Sequence, residues 1–318
     1  MTDVTLIKPL NDFPDTPYQT SIQNTSIRFR WIHAQCFQIQ LPDGKVLMTD
    51  PFFPQNPESF KNETTPELNI SDIGKVDYVT VNHSHVDHVG NIPDVFKENN
   101  PIVICDRIYA RELSAMYEIP EYNIFPILPD MTYRFPSFKL DTIHGWHNNI
   151  GGCSDLEGKR FLRPNCAPLT GPMNSYGCLF NTNYLFTLTN NFKIGFAAGV
   201  DVTTMADAWK TNGPNLLLRQ RLVYAKPEEY AKDCEALGGQ LILPMHQDAC
   251  FDWNSDMNAY ANRVNQLLKE DGCPMHMINP ERLKWYTVSM SIHALLVIEH
   301  HVDDAGLGMP VCTDGGNG

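Results

Sequence analysis

The 318-residue chain has no run of eighteen consecutive apolar residues, so no segment reads as a membrane-spanning helix. It is short of positive charge: 24 Lys and Arg stand against 37 Asp and Glu, a formal balance of −13. That balance disfavours nucleic acid and anionic membrane as general partners and leaves a small-molecule substrate as the expected one. There is no C-x-x-C pair. The nine cysteines (Cys36, Cys105, Cys153, Cys166, Cys178, Cys234, Cys250, Cys273 and Cys312) are odd in number and irregular in spacing. A disulfide framework is therefore not expected, and reduced thiols in a cytoplasmic protein are the simpler reading. Met1 to Pro9 has neither a basic stretch nor a long apolar one, so no signal peptide is expected. No Gly-x-Ser-x-Gly elbow occurs, which removes one sequence mark of a serine hydrolase.

What the chain does have is a dense cluster of metal-ligand side chains. The stretch Val81-Asn82-His83-Ser84-His85-Val86-Asp87-His88-Val89-Gly90 places three histidines and an aspartate within six residues. It follows the hydrophobic run Val76 to Val81, which reads as a buried strand. Imidazoles and a carboxylate at that density become useful when a divalent cation sits among them; the alternative is a solvated polar loop. His83 and His85 are two apart, so on extended backbone they point the same way. Asp87 and His88 follow where the chain turns toward a helix. One loop can thus supply two ligands to each of two cations about 3.5–4 Å apart.

Later strand ends offer further ligands. His147, or His144, follows the strand read from Phe138 to Ile143. Asp201 follows Lys193–Ala198, and His246 follows Gln240–Leu243. Each stands just past a strand's carboxyl end, where open α/β sheets gather ligand sites. Between the first and second of these strands, residues 148–176 are rich in Gly and Pro and carry no apolar period. This insert is the expected lid. It carries Lys159, Arg160 and Arg163, which read either as an anion-binding cluster for an acidic substrate or as a solvated loop face. Cys153, Cys166 and Cys178 fall in the same region, too few thiols for a zinc site by themselves. Trp146, Tyr176, Trp209 and Trp253 are candidates for pocket lining or for core.

The rest of the chain reads as mixed α/β. Ser26–Trp31, Cys36–Leu41 and Val46–Thr49 form a strand meander turning at Pro42-Asp43-Gly44-Lys45. Helices are expected over Ile92–Glu98, Asp106–Tyr117 with Asp106 as N-cap, Pro227–Leu237, and Asp256–Glu270. Ala206–Leu218 reads as a stretch broken by Gly213-Pro214. Met275–Ile278 and Leu283–Val288 read as two last strands or one bent one. Residues 1–25 read as an irregular arm, 26–298 as one domain, and 299–318 as a loose tail.

The order His83-x-His85-x-Asp87-His88, then His147, Asp201 and His246, resembles the metallo-β-lactamase superfamily over roughly residues 26–290. Trp31 to Phe37, Leu47-Met48-Thr49-Asp50-Pro51, Phe196 to Asp201 and Leu243-Pro244-Met245-His246 are similar to segments of the branch that includes L-ascorbate-6-phosphate lactonase and N-acyl-phosphatidylethanolamine phospholipase D. Two departures stand out: Val200 is inserted between Gly199 and Asp201, and His33 stands one place early. The resemblance implies a four-layer αββα sandwich, two mixed β-sheets flanked by helices. It assigns His83, His85 and His147 to one metal, Asp87, His88 and His246 to a second, and Asp201 to a bridging place. His144 would then line the pocket. Asp87 and His246 are also the expected catalytic residues. Two divalent ions, zinc by default and manganese or iron otherwise, would hold a bridging hydroxide against a small ester, lactone or phosphodiester. The alternative is a non-heme di-iron redox enzyme using the same ligands.

Overall fold

The computed structural model describes residues 2–7, 26–53, 68–147, 177, 181–221, 225–247 and 256–292. The strands are β1 (Thr2–Ile7), β2 (Ser26–His33), β3 (Cys36–Gln40), β4 (Val46–Thr49), β5 (Tyr78–Thr80), β6 (Ile102–Asp106), β7 (Ile124–Ile127), β8 (Thr132–Arg134), β9 (Phe138–Gly145), β10 (Asn181–Leu188), β11 (Lys193–Ala197), β12 (Leu216–Gln220), β13 (Leu241–Met245), β14 (His276–Met277) and β15 (Tyr286–Ile292). The helices that matter here are α1 (Ile70–Ile73), α2 (Val86–Val89), α3 (Ile92–Asn99), α4 (Arg107–Tyr117), α5 (Thr203–Trp209), α6 (Pro227–Leu237) and α7 (Met257–Glu270).

Two sheets form. One has the order β1-β15-β2-β3-β4-β5-β6-β7 and the other β14-β13-β12-β11-β10-β9-β8. Both are mixed: β4 to β7 run parallel in the first, and β11 to β14 in the second. Period-two side-chain alternation separates their faces. Ile194, Leu216 and Leu241 stand in register across three strands, as do Phe196, Leu218 and Leu243. All six point inward and join Phe29, Phe37, Ile39, Leu140 and Phe186 in one core between the sheets. The intervening Ala197, Leu217 and Ile242 point outward, into a second core with Trp209 of α5, Tyr230 and Leu237 of α6, and Val264 and Leu268 of α7. The other sheet's outer face packs Met48, Val79 and Val103 against Ile92 and Val95 of α3 and Tyr109 and Leu113 of α4. Helices, sheet, sheet, helices: the four-layer αββα architecture is the one the sequence implied.

Local chemistry accounts for most element boundaries. Asp106 caps α4 by accepting from Ile108 N at 2.8 Å. Asp256 caps α7 by accepting from the amides of Asn258 and Ala259 at 3.0 Å each. Pro227 opens α6, and Gly238 ends it at φ 74°, a left-handed backbone that favours glycine.

Three expectations need correction, and one open alternative is decided. Thr2–Ile7 is not irregular: it pairs antiparallel with Tyr286–Ile292 at the edge of the first sheet. Hydrogen bonding to an otherwise open edge supplies what its weak local pattern does not. Leu216–Gln220, which begins inside the broken Ala206–Leu218 stretch, is a central parallel strand, since Gly213-Pro214 ends the helical part and a new element starts beyond it. The segment between α4 and β9, given no element from sequence, holds β7 and β8, whose short apolar runs are interrupted by Pro126 and by a turn. β14 and β15 are two strands in different sheets rather than one bent strand. The insert 148–176 and the tail 299–318 lie outside the described residues.

Phe186 tests the central layer. It is fully buried and edge-on to Phe138, ring centroids 5.5 Å apart. Phe186→Ala is expected to cost about 3–5 kcal/mol, from lost transfer energy plus the cavity left behind. Urea unfolding should show a lower midpoint at unchanged slope.

Candidate metal centre

The carboxyl ends of strands from both sheets meet at one rim. β5 ends at Thr80, and Val81-Asn82 carries the chain to His83. His85 is the N-cap residue of α2, which places Asp87 and His88 in that helix's first turn. β9 ends in Gly145 and delivers His147; β13 ends in Met245 and delivers His246.

These side chains form two triads. In one, single ligand atoms of His83, His85 and His147 all lie within 4.8 Å of one another; in the other, those of Asp87, His88 and His246 do. His83 Nε2 and His85 Nδ1 are 3.1 Å apart. Asp87 Oδ2 is 3.1 Å from His246 Nε2 and 3.6 Å from His88 Nε2. Ligand atoms around a tetrahedral zinc, at roughly 2.0–2.1 Å from the ion, stand about 3.3 Å apart. The observed spacings bracket that value, so the donor sets fit a cation. The triads are adjacent: the rings of His83 and His88 have centroids 3.8 Å apart. Gly177 packs directly on His85; a Cβ there would lie 2.5 Å from the ring's Cδ2.

Partners just behind the triads fix the imidazoles. Asp50 is buried at the end of β4. Its Oδ2 accepts from His88 Nδ1 at 2.8 Å and its Oδ1 from Asn82 N at 2.6 Å. This leaves His88 Nε2 facing Asp87. His83 Nδ1 meets Asn82 Oδ1 at 2.8 Å. Carboxylates and carbonyls behind ligating histidines set ring orientation and tautomer in metal sites generally.

The electrostatics favour the deprotonated state that a cation needs. Burial and the neighbouring histidines hold His83 well below the usual imidazole range. Burial pushes the Asp87 carboxyl up, but His88 and His246 outweigh it and hold Asp87 below the usual carboxylate range. Burial raises Asp50, opposed by His88 and the Asn82 amide. At neutral pH the structure therefore presents a charged Asp87 beside an uncharged His83.

Strain gathers here too. Ala34, Asp50 and His246 adopt left-handed backbone at φ 43°, 39° and 63°. Each costs about 1–3 kcal/mol for a non-glycine residue, and such residues cluster at functional sites. Two of the three are joined directly, His246 N donating to Ala34 O at 2.9 Å.

The structure resolves several sequence readings. His147 stands in a triad and His144 does not; His144 lies beside it, edge-on to the exposed Trp146 at 4.7 Å, its backbone N–H bonded to Asp130. Asp201 belongs to neither triad. Its Oδ1 accepts from Thr203 N at 2.9 Å, a local turn just ahead of α5, and this bond lowers its carboxyl. The exit from β11 is clamped before it: Asn183 Oδ1 accepts from Ala198 N and Gly199 N, and buried Arg219 donates to the carbonyls of Ala197 and Gly199. His33 is buried against Phe52, and Trp209 is core. Lys159, Arg160, Arg163, Tyr176, Trp253 and the cysteines at 153, 166 and 178 lie outside the described residues. Asp50 and Asn82 were not singled out from sequence as orienting groups. Their only signal was a lone carboxylate closing an apolar run, and an amide opening the histidine cluster.

The fold and its motif have known counterparts. The family model "Beta-lactamase superfamily domain" matches residues 28–153, under half of the chain. A "UPF0173 metal-dependent hydrolase" from Polynucleobacter asymbioticus is 26% identical over 176 residues, 52% of this chain and 53% of that protein. The chain thus spans about half the length of this curated relative. Among solved structures, Igni18, a metallo hydrolase from Ignicoccus hospitalis, is similar with a TM-score of 0.60 at 14% identity, covering 83% of this chain and 98% of that one. CmlA, a di-iron β-hydroxylase from Streptomyces venezuelae, has a TM-score of 0.51 at 8% identity, covering 85% of this chain and 54% of that one. The chain has the metallo-β-lactamase fold.

Asp50→Ala removes the acceptor of two buried donors, His88 Nδ1–H and the Asn82 amide. Each unsatisfied donor costs about 1–3 kcal/mol. The metal-free variant should lose roughly 2–6 kcal/mol in urea unfolding; a loss indistinguishable from zero would end the orienting role given to Asp50.

Proposed function

We propose that this chain is a metal-dependent hydrolase of a small ester, lactone or phosphodiester. The observation that carries the reading is the pair of adjacent triads, in which His83 and His88 are held by Asn82 and Asp50 and the electrostatics keep His83 uncharged and Asp87 charged. His83, His85 and His147 are assigned to one divalent cation; Asp87, His88 and His246 to the other. Asp201, which the resemblance implies as a shared ligand, would have to give up its bond from Thr203 N to take that role. When bound there, divalent cations would supply a nucleophilic water near neutral pH and stabilise charge on the leaving oxygen. Five imidazoles and one carboxylate with no thiolate suit zinc first, with manganese and iron as the other candidates.

The protein's own groups do the rest. Asp50 and Asn82 hold His88 and His83 in place, so little reorganisation accompanies loading. Asp87 and His246, 3.1 Å apart on segments from different sheets, are the residues nearest the chemistry in this reading. Cys36, Cys105 and Cys234 are buried, and burial raises the Cys105 and Cys234 thiols, so neither of those two is an activated nucleophile. Free thiols also fit a reducing, cytoplasmic setting. His144 and the exposed Trp146 stand on the rim beside His147 and are assigned to substrate contact. Lys159, Arg160 and Arg163 are assigned to an anionic group of the substrate. This fits the resemblance to L-ascorbate-6-phosphate lactonase and N-acyl-phosphatidylethanolamine phospholipase D, with residues 26–298 working as one unit. A second reading, a di-iron redox enzyme, draws on the fold shared with CmlA.

Elemental analysis of the purified protein, run with a panel of lactones and bis-aryl phosphate diesters, separates the readings. The hydrolase reading expects two equivalents of divalent metal and turnover of at least one substrate class. It also expects His85→Ala to lower kcat/KM by more than about 100-fold, beyond the usual effect of losing an orienting partner. Iron with oxygen consumption and no hydrolysis supports the second reading. No bound metal, or an unimpaired His85→Ala, defeats both.

A further inference from the structure

We propose that Asn82 is the positioning residue that makes His83 an Nε2 ligand, with its own amide locked in place by the opposite sheet. The inference rests on reading His83, His85 and His147 as a metal triad.

The two ends of an asparagine amide are distinguished by what they face. One terminal atom of Asn82 lies 2.5 Å from Thr182 O and 3.1 Å from Asn181 Oδ1. A backbone carbonyl only accepts, so that atom is the NH2 group. The other atom is then Oδ1, an acceptor, and it faces His83 Nδ1 at 2.8 Å. His83 must therefore donate from Nδ1. Its Nε2 carries the lone pair, and Nε2 is the atom 3.1 Å from His85 Nδ1 inside the triad. The tautomer follows from a carbonyl on β10, in the other sheet.

Nothing about this arrangement is loose. Asn82 is fully buried. Its N–H is held by Asp50 Oδ1 at 2.6 Å, and its own carbonyl accepts from Thr182 N at 2.9 Å. All its polar groups are used. A flip of the amide would put NH2 against the His83 Nδ1–H and Oδ1 against both the Thr182 carbonyl and Asn181 Oδ1, breaking three contacts at once. One side chain thus couples the meeting of the sheets to the readiness of a ligand.

The experiment measures zinc affinity by competition with a chromogenic chelator, together with 15N-histidine spectra of the metal-free protein. Wild-type protein should show His83 as the Nδ1–H tautomer. Asn82→Ala should bind one of two zinc equivalents about 10–100-fold more weakly, the usual cost of losing an orienting partner. The telling readout is non-additivity: His83→Ala and His83→Ala/Asn82→Ala should bind zinc alike, because Asn82 acts through His83. A merely structural Asn82 would lower affinity further in the double variant, and that additivity overturns the proposal. So does unchanged binding by Asn82→Ala. If Asn82→Ala does not fold, the wild-type spectrum still decides, since an Nε2–H tautomer at His83 is incompatible with the proposal. Wild-type protein that takes up no zinc, manganese or iron defeats the metal reading itself, a separate outcome.

Discussion

Just beyond β5, Val81 N still donates to Ile104 O on β6, but the peptide group that follows leaves the sheet, and its polar atoms need partners from elsewhere. The Val81–Asn82 peptide meets this constraint by drawing on both sides of the core. Val81 O accepts from the hydroxyls of Tyr184, on β10, and Tyr109, on α4. Asn82 then bonds Thr182 through main chain and side chain. Buried main-chain groups left unpaired would cost on the order of a kilocalorie or more each. Satisfying them forces the two sheets into one relative placement, and the histidines that follow start from a fixed point.

From that point the remaining donors arrive by simple means. His83 to His88 come from one loop. His147 and His246 come from strand ends on the second sheet, and the left-handed turns at Ala34 and His246 share a hydrogen bond across the rim. Both sheets thus contribute to each triad.

Many of the elements, and four of the six triad donors, were legible because their signals are local. The meander Ser26–Thr49, the capped helices at Asp106 and Asp256 and the Pro227–Gly238 helix carry their own turn and cap residues. His83 to His88 announces itself by density. β1 and β12 were not legible, since their strand character comes from the partners beside them rather than from alternation. Asp50 and Asn82 escaped for the same reason: their roles depend on residues 32 to 100 positions away. Spacing alone left His144 and His147 open; His144 lies within β9, and His147, two residues past its end, joins the triad. Asp201 stands outside both triads, its carboxylate accepting from Thr203 N, a local bond that its position past a strand end did not reveal.

Four of the six triad donors lie within six consecutive residues. That closeness has a consequence for the unfolded chain. A denatured polypeptide holding His83, His85, Asp87 and His88 so near one another is itself a partial chelator, before either sheet exists. Ligand binding stabilises a fold only by its preference for the native over the denatured ensemble. The cation's contribution to stability is therefore smaller than its native affinity suggests. Metal present during refolding would grip the loop early and leave the slower arrival of His147 and His246 to complete the shell.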